Sequence, residues 1–178
     1  MEEAKVSQET IELIMDQYGD EIKRFVYTYV KNHADTDDVT QEVFVTVYQK
    51  LHTYKGISSL RSWIYSIASN KSKDYLRSWK GRNQRLKEKL YNSQEPMIDN
   101  RSPEDISSRK SESSELLNQV LQLPLKYREL IILYYFKDFS IKEISDLLGE
   151  KEATIRTRLA RGRQRLKFGI ERGEQDGR

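Results

Sequence analysis

Six cations fall within the fourteen residues from Thr154 to Lys167: Arg156, Arg158, Arg161, Arg163, Arg165 and Lys167, with no carboxylate among them. Ile155, Leu159, Gly162 and Leu166 recur between them at steps of three and four. A helix here presents one narrow packing face while its cations fan outward. Like charges crowded along one helix repel unless a polyanion meets them, and DNA is the obvious one. The preceding residues supply the means to deliver such a helix. Ser140, followed three positions later by Glu143, forms a capping box for a helix over Ile141–Leu148. Gly149 is placed to end that helix in the left-handed conformation. A short link from Glu150 to Ala153 then leads into the cationic segment. Helix, glycine-bearing turn and cationic second helix form the helix-turn-helix pattern. Taken alone, an arginine-rich helix also reads as a solvated face or a surface for acidic proteins.

A second basic stretch holds Lys71, Lys73, Arg77, Lys80, Arg82, Arg85, Lys87 and Lys89, opposed only by Asp74 and Glu88. It follows a run containing Tyr54, Trp63, Tyr65, Tyr75 and Trp79. Rings stack on bases and cations hold phosphates, so this mixture suits single-stranded or melted nucleic acid. The plainer reading makes the aromatics core residues, above all Trp63 and Trp79. Asp35, Asp37, Asp38 and Glu42 gather where a helix should start, matching the favourable end of its dipole. A protein-docking surface is the functional reading of that acidic cluster. It has no histidine or glycine-rich turn beside it, so no metal site is expected. No nucleophile-and-base arrangement can be assembled and no phosphate-cradling loop exists; neither a catalytic residue nor a cofactor is expected.

Apolar spacing places these groups on an all-α scaffold of two bodies. Ile11, Ile14, Tyr18, Ile22, Phe25, Val26 and Tyr29 form one helical stripe, and Val39, Val43, Val47 and Leu51 a second. Leu60, Trp63, Ile64, Ile67, Ala68, Tyr75, Leu76 and Trp79 form a third, which gives a small bundle over residues 8–80. Residues 81–114 are dominated by Asn, Ser, Gln and Pro. So polar a stretch buries too little surface to offset its ordering entropy, which predicts a flexible linker. Arg82 to Leu90 could instead extend the preceding helix, and a short turn is expected around Pro103 to Ile106. Order resumes over 115–170. Leu117, Val120 and Leu121 lie on one helix, and Tyr127, Leu130, Ile131, Leu133, Tyr134 and Tyr135 on a second, ahead of the helix-turn-helix.

Bulk properties agree. The 178 residues suffice for one sizeable domain or two small ones. The formal charge of +3 makes the chain only mildly basic, so the placement of the charge matters more than its sum. The absence of cysteine excludes disulfides and thiolate zinc ligands and favours a reducing compartment. No apolar run approaches the roughly 18 residues of a membrane span and no secretory leader is evident, so a cytoplasmic location without membrane insertion is expected.

Four segments in order resemble a known family. Asp35, Asp38, Gln41, Glu42 and Phe44 form the first; Trp63, Ala68 and Asn70 the second; Leu123, Pro124, Tyr127, Arg128 and Glu129 the third; the helix-turn-helix is the fourth. Together, from about Ile11 to Lys167, they look like an extracytoplasmic-function (ECF) sigma factor of bacterial RNA polymerase, in the sigma-70 family. The resemblance implies two conserved bodies, called regions 2 and 4, and no enzymatic activity. It implies that Asp35, Asp38, Gln41, Glu42 and Phe44 dock on the coiled coil of the polymerase largest subunit, with the flap as a further contact of the core enzyme. It also implies that Tyr54, Lys55, Gly56, Ser58 and Ser59, with Trp63, Asn70 and Lys73, recognise and open the −10 promoter element. A base flipped out there costs a few kcal/mol and needs a preformed pocket. The cationic helix would enter the major groove at the −35 element. Arg156, Thr157, Ala160 and Arg161 would face bases there, and Thr154, Arg158 and Arg163 phosphates. An anti-sigma factor is the expected regulator, in a stress or envelope response. This chain departs from the family pattern at Ala153, at Ala160 and in the acidic Glu150 to Glu152 turn, which bears on which −35 sequence is read.

Two other functions stay open on the residues alone. One is a dimeric helix-turn-helix regulator that binds its operator without polymerase. The other is an adaptor whose helices bind acidic proteins and never touch DNA.

Overall fold

The structure, a computed structural model, describes residues 2–91 and 112–176, with side chains for 10–80 and 116–167. No strand occurs among the described residues. The helices run in the order α1 (Glu2–Val30), α2 (His33–Lys50), α3 (Leu60–Tyr91), α4 (Glu112–Gln122), α5 (Leu125–Ile131), α6 (Ile141–Leu148) and α7 (Glu152–Asp176). A single 3-10 turn, Leu51–Thr53, follows α2, and a π-helical turn, Ile132–Phe136, continues α5.

The first body is built from α1, α2 and α3. Only Lys31 and Asn32 separate α1 from α2. Lys31 takes a left-handed φ of 59°, and the Asn32 side chain accepts a hydrogen bond from the Asp35 amide at 3.0 Å. Asn32 is therefore the cap, and of the acidic cluster only Asp35 lies in the first turn of α2. Asp37 instead pairs across to Lys23 of α1 at 2.6 Å. Ile22, Phe25, Val26, Val43, Val47, Ile64 and Tyr65 are fully buried between the three helices. Each such side chain contributes about 1.5–3 kcal/mol through burial. The Phe25 ring meets Tyr29 edge-on at 5.2 Å and Tyr65 at 4.7 Å.

Helix α3 runs past residue 80 to Tyr91, the second of the two readings given for Arg82 to Leu90. The residues after Gly81 are largely Arg, Lys, Gln, Glu and Leu, all good helix formers, with no proline among them. Helical propensity carries the chain on after its apolar stripe has ended. Residues 92–111, including the turn expected around Pro103 to Ile106, lie outside the described residues.

The second body comprises α4 to α7. Ser140 and Glu143 form the expected capping box, and Gly149 ends α6 at φ 65°. The helix expected through Tyr135 differs from expectation in its last turn. The Lys137 amide bonds to the Ile132 carbonyl at 3.0 Å and the Phe139 amide to that of Leu133 at 3.1 Å. This wider winding turns Tyr134 and Tyr135 out to 36% and 46% exposure, so neither belongs to the core. Asp138, left-handed at φ 57°, then turns the chain back and Phe139 is buried. Gly162 lets α7 ride directly on α5. A β-carbon there would sit 3.2 Å from Ile131 Cγ1 and 3.4 Å from Tyr127 Cβ.

The two bodies pack against each other. Phe139 stacks edge-on to Tyr65 at 5.0 Å, and the Arg61 guanidinium lies 4.6 Å over the Phe139 ring. Arg61 also donates to the Lys137 carbonyl at 2.9 Å and pairs with Glu21. Tyr65 donates to Glu21 at 2.7 Å. Burial alone would raise the Glu21 pKa, but hydrogen bonds from Arg61 and Tyr65 and the charges of Arg61 and Lys137 outweigh it and hold the carboxyl below 4.5. A depressed carboxylate pKa stabilises the fold above its unfolded value, and that stability is lost as pH falls through the folded value. Glu21→Gln should therefore cost about 1–2 kcal/mol at pH 7 and progressively less as the pH drops below 4.5. Thermal melts followed by circular dichroism from pH 7 to 3 measure this; a constant difference would remove the role of the Glu21 charge.

Candidate nucleic-acid interface

The cationic helix is anchored by Ile155 and Leu159, both buried, and by Gly162 against α5. At about 100° per residue, Ala153, Thr157, Ala160 and Gln164 point away from that seam. Arg156 and Arg163 lie along one flank, and Thr154, Arg158 and Arg161 along the other. Arg156, Thr157, Ala160, Arg161 and Arg163 are exposed, whereas Thr154 and Arg158 are half-buried. Thr157 returns its hydroxyl to the Ala153 carbonyl at 2.9 Å. The acidic turn engages two of the arginines. Arg156 meets Glu152 at 2.7 Å with both side chains well exposed, a pair of the kind worth about 0–1 kcal/mol. Arg158 donates from Nη1 to both carboxylate oxygens of Glu150, at 2.8 and 2.7 Å. Arg163 reaches the Tyr135 hydroxyl at 3.3 Å.

On the first body, the other candidates lie in the loop before α3 and along the helix itself. Gly56 is left-handed at φ 68° and has open space around it, so its conformation rather than crowding demands glycine. The Tyr54 hydroxyl donates to the Ser58 carbonyl, closing the loop on itself, and the Tyr54 ring lies 5.1 Å from Trp63. Ser59 caps α3, accepting from the Ser62 amide at 3.1 Å. Trp63 is half-buried against the core, while Lys55, Gly56, Ser58, Ser59 and Asn70 are exposed. Besides Arg61, three cations among the described side chains of α3 are engaged. Lys71 approaches Glu42 at 3.8 Å, Arg77 pairs with Asp74, and Lys73 meets Glu129 of α5 at 2.7 Å.

On α2, Asp38, Gln41 and Glu42 form an exposed acidic face and Asp35 lies half-buried at its edge. Phe44, the remaining residue expected at the docking surface, is only 5% exposed. At its spacing from Val43 and Val47 it faces the core, and it supports a cavity of about 480 Å³ that Gln41, Thr40 and Met15 also line. Among the described residues no cluster could hold a metal, and no helix is long and apolar enough to cross a membrane.

Comparison with known proteins decides the family. Residues 14–82 match the sigma-70 region 2 model and residues 113–166 the sigma-70 region 4 model. The chain is 32% identical over 170 residues to the ECF RNA polymerase sigma factor SigM of Bacillus subtilis, covering 94% of this chain and 99% of SigM. It belongs to the ECF sigma factors.

SigW of the same organism is 29% identical, over 92% of this chain and 90% of its own. Among solved structures, the fold is similar to Bartonella quintana RpoE in complex with the anti-sigma factor NepR. That match has a TM-score of 0.69 at 20% identity and covers 90% of this chain and 96% of RpoE. CnrH, in complex with the cytosolic domain of CnrY, gives 0.65 at 19% identity, over 94% of each chain. The protein is thus a sigma factor that binds core RNA polymerase and directs it to promoters. Sequence reasoning gave no role to three residues of this sigma factor. Gln164, seven positions after Thr157, lies on the outermost line of α7, which helical arithmetic alone could have found. Arg61 and Glu129 are tied to each other's bodies, for which the sequence carries no local signal.

Proposed function

We propose that the two bodies divide the promoter between them: residues 8–80 for core docking and the −10 element, 115–170 for the −35 element, joined by 81–114. Asp35, Asp38, Gln41 and Glu42 dock on the largest-subunit coiled coil, with Phe44 lining the groove beside them. Tyr54, Lys55, Gly56, Ser58, Ser59, Trp63, Asn70 and Lys73 receive the opened −10 strand, with the Tyr54–Trp63 ring pair as the stacking platform. Thr157, Ala160, Arg156 and Arg161 read −35 bases, and Thr154, Arg158 and Arg163 hold its phosphates. The reading rests above all on α7, whose exposed face is cationic along both flanks and uncharged along its centre, a shape for the floor and walls of a major groove. The protein performs no catalysis of its own and works in the cytoplasm. An anti-sigma factor regulates it, in a stress or envelope response. Transcription in vitro with purified core polymerase and a random promoter library tests the assignment. A single two-part consensus should emerge, and transcripts indistinguishable from those of core alone would overturn it.

A further inference from the structure

The loop between α2 and α3 carries one large side chain that the fold does not use. Ile57 is 90% exposed, more than any other large apolar residue described. A lone apolar side chain on a surface ordinarily signifies nothing, because much of any protein surface is apolar. What distinguishes Ile57 is how firmly the chain around it is held. The Tyr54 amide bonds to the Leu51 carbonyl at 3.1 Å, which fixes the entry of the loop on the 3-10 turn. Across the loop, the Tyr54 hydroxyl donates to the Ser58 carbonyl at 2.5 Å. The Ser59 hydroxyl accepts from the Ser62 amide and the Ser59 carbonyl from the Trp63 amide, at 3.1 and 3.0 Å, which fixes the exit on α3. Gly56, left-handed at φ 68°, makes the bend immediately before Ile57. Ile57 therefore stands on the outer bend of a braced arc, and it is ordered before any partner arrives.

Its side chain has neither charge nor hydrogen-bonding groups, so it can hold no phosphate and read no base edge. What a nucleic acid offers such a group is the face of a base. Proteins that bend or open a duplex insert isoleucine and similar apolar side chains between base steps, unstacking them. A β-branched side chain suits this, since its stiff χ1 keeps the wedge from folding away. The surroundings supply the other parts. Lys55, two positions earlier, is exposed and can meet a phosphate beside an opened step. The half-buried Tyr54 and Trp63 rings, 5.1 Å apart at the foot of the loop, can receive a base that has left the stack. A protein partner would ask for a broader apolar surface than one side chain set among Lys55, Gly56, Ser58 and Ser59.

We infer that Ile57 is a wedge, which enters the base stack of the −10 element and holds open the step from which a base is flipped. It acts on the opening of the duplex, whereas the groups around it act on the opened strand. This role rests on the proposed assignment of the −10 element to the first body.

Holoenzyme made from the full-length chain and core polymerase separates the two steps on one promoter from the random library. The promoter is presented either as a duplex or with its −10 element mismatched and so already open. Ile57→Ser should slow open-complex formation on the duplex about tenfold, followed by the fluorescence of 2-aminopurine placed in the −10 element. It should change run-off transcription from the mismatched template by less than about twofold. Ile57→Leu, apolar and of the same size, should bring the opening rate back to within about threefold of the unsubstituted protein. Because Ile57 is so exposed, neither variant should alter the melting temperature or retention on core. Asn70→Ala, on the surface that receives the strand, should impair both templates. An undiminished opening rate for Ile57→Ser, an equal loss on both templates, or weakened retention on core would overturn the wedge. If Asn70→Ala also left both templates unaffected, the −10 assignment itself would fall; if Asn70→Ala were impaired, that assignment would stand without the wedge.

Discussion

Replacing both Asp38 and Glu42 with lysine should abolish retention of the protein on immobilised core polymerase while leaving its circular dichroism spectrum and melting unchanged. Both side chains are exposed, and Glu42 has only a 3.8 Å approach from Lys71 to lose. Surface changes of this kind stay within about 0.5 kcal/mol in stability. The packing of α2 rests on Val39, Val43, Phe44 and Val47, which the double variant leaves in place. At the docking surface the arithmetic is different. Each substitution replaces an attraction with a like-charge contact, and such juxtapositions cost several kcal/mol across an interface, which is 100-fold or more in affinity. Binding at the unsubstituted affinity would remove α2 from the docking surface. Phe44 could not serve this test, because its burial would confound lost docking with lost packing.

What could be read in the chain and what could not follow a physical line. Ile155, Leu159 and Gly162 announce the buried seam of α7, and Ser140, Glu143 and Gly149 the ends of α6, because these are features of residues three to five positions apart. The π-helical turn escaped because the apolar stripe runs straight through Tyr134 and Tyr135, and only the bonds to the Ile132 and Leu133 carbonyls reveal the wider winding. Asn32 was overshadowed by the carboxylates after it, although one short side-chain acceptor outranks a dipole preference in fixing where a helix starts. The site divides in the same way. The exposed face of α7 was legible as a helix surface, whereas the burial of Phe44 was not, because a motif match does not say which side of a helix a residue occupies. The joining of Tyr29, Ser69 and Lys73 to Glu129 spans 100 positions at its widest. Each of those residues taken singly looks like part of an ordinary helix.

Arg156→Ala and Arg161→Ala should each remove about 1–3 kcal/mol of discrimination at the −35 element, read as flattened preference in run-off transcription from promoters substituted there. Unchanged preference would reassign them to phosphates. The arginines differ in what DNA must displace. Arg156 is paired with Glu152 in the open, so its guanidinium is released at little cost and can take a guanine edge bidentately. Arg158 is less free. The Ser145 hydroxyl donates to the Glu150 carbonyl and the Glu150 amide bonds to Ser145 at 3.2 Å, so the residue that grips Arg158 is itself fixed to α6. A guanidinium so held keeps its position but has its charge partly compensated before DNA arrives. Alanine at Arg163, whose described hydrogen-bond partner is the neutral Tyr135 hydroxyl, should therefore lower the salt dependence of binding by nearly one released counterion. Alanine at Arg158 should lower it by distinctly less, while weakening all −35 sequences alike. Equal slopes for the two variants would mean that DNA pulls Arg158 off Glu150, and the acidic turn would then be a barrier to binding and not a brace.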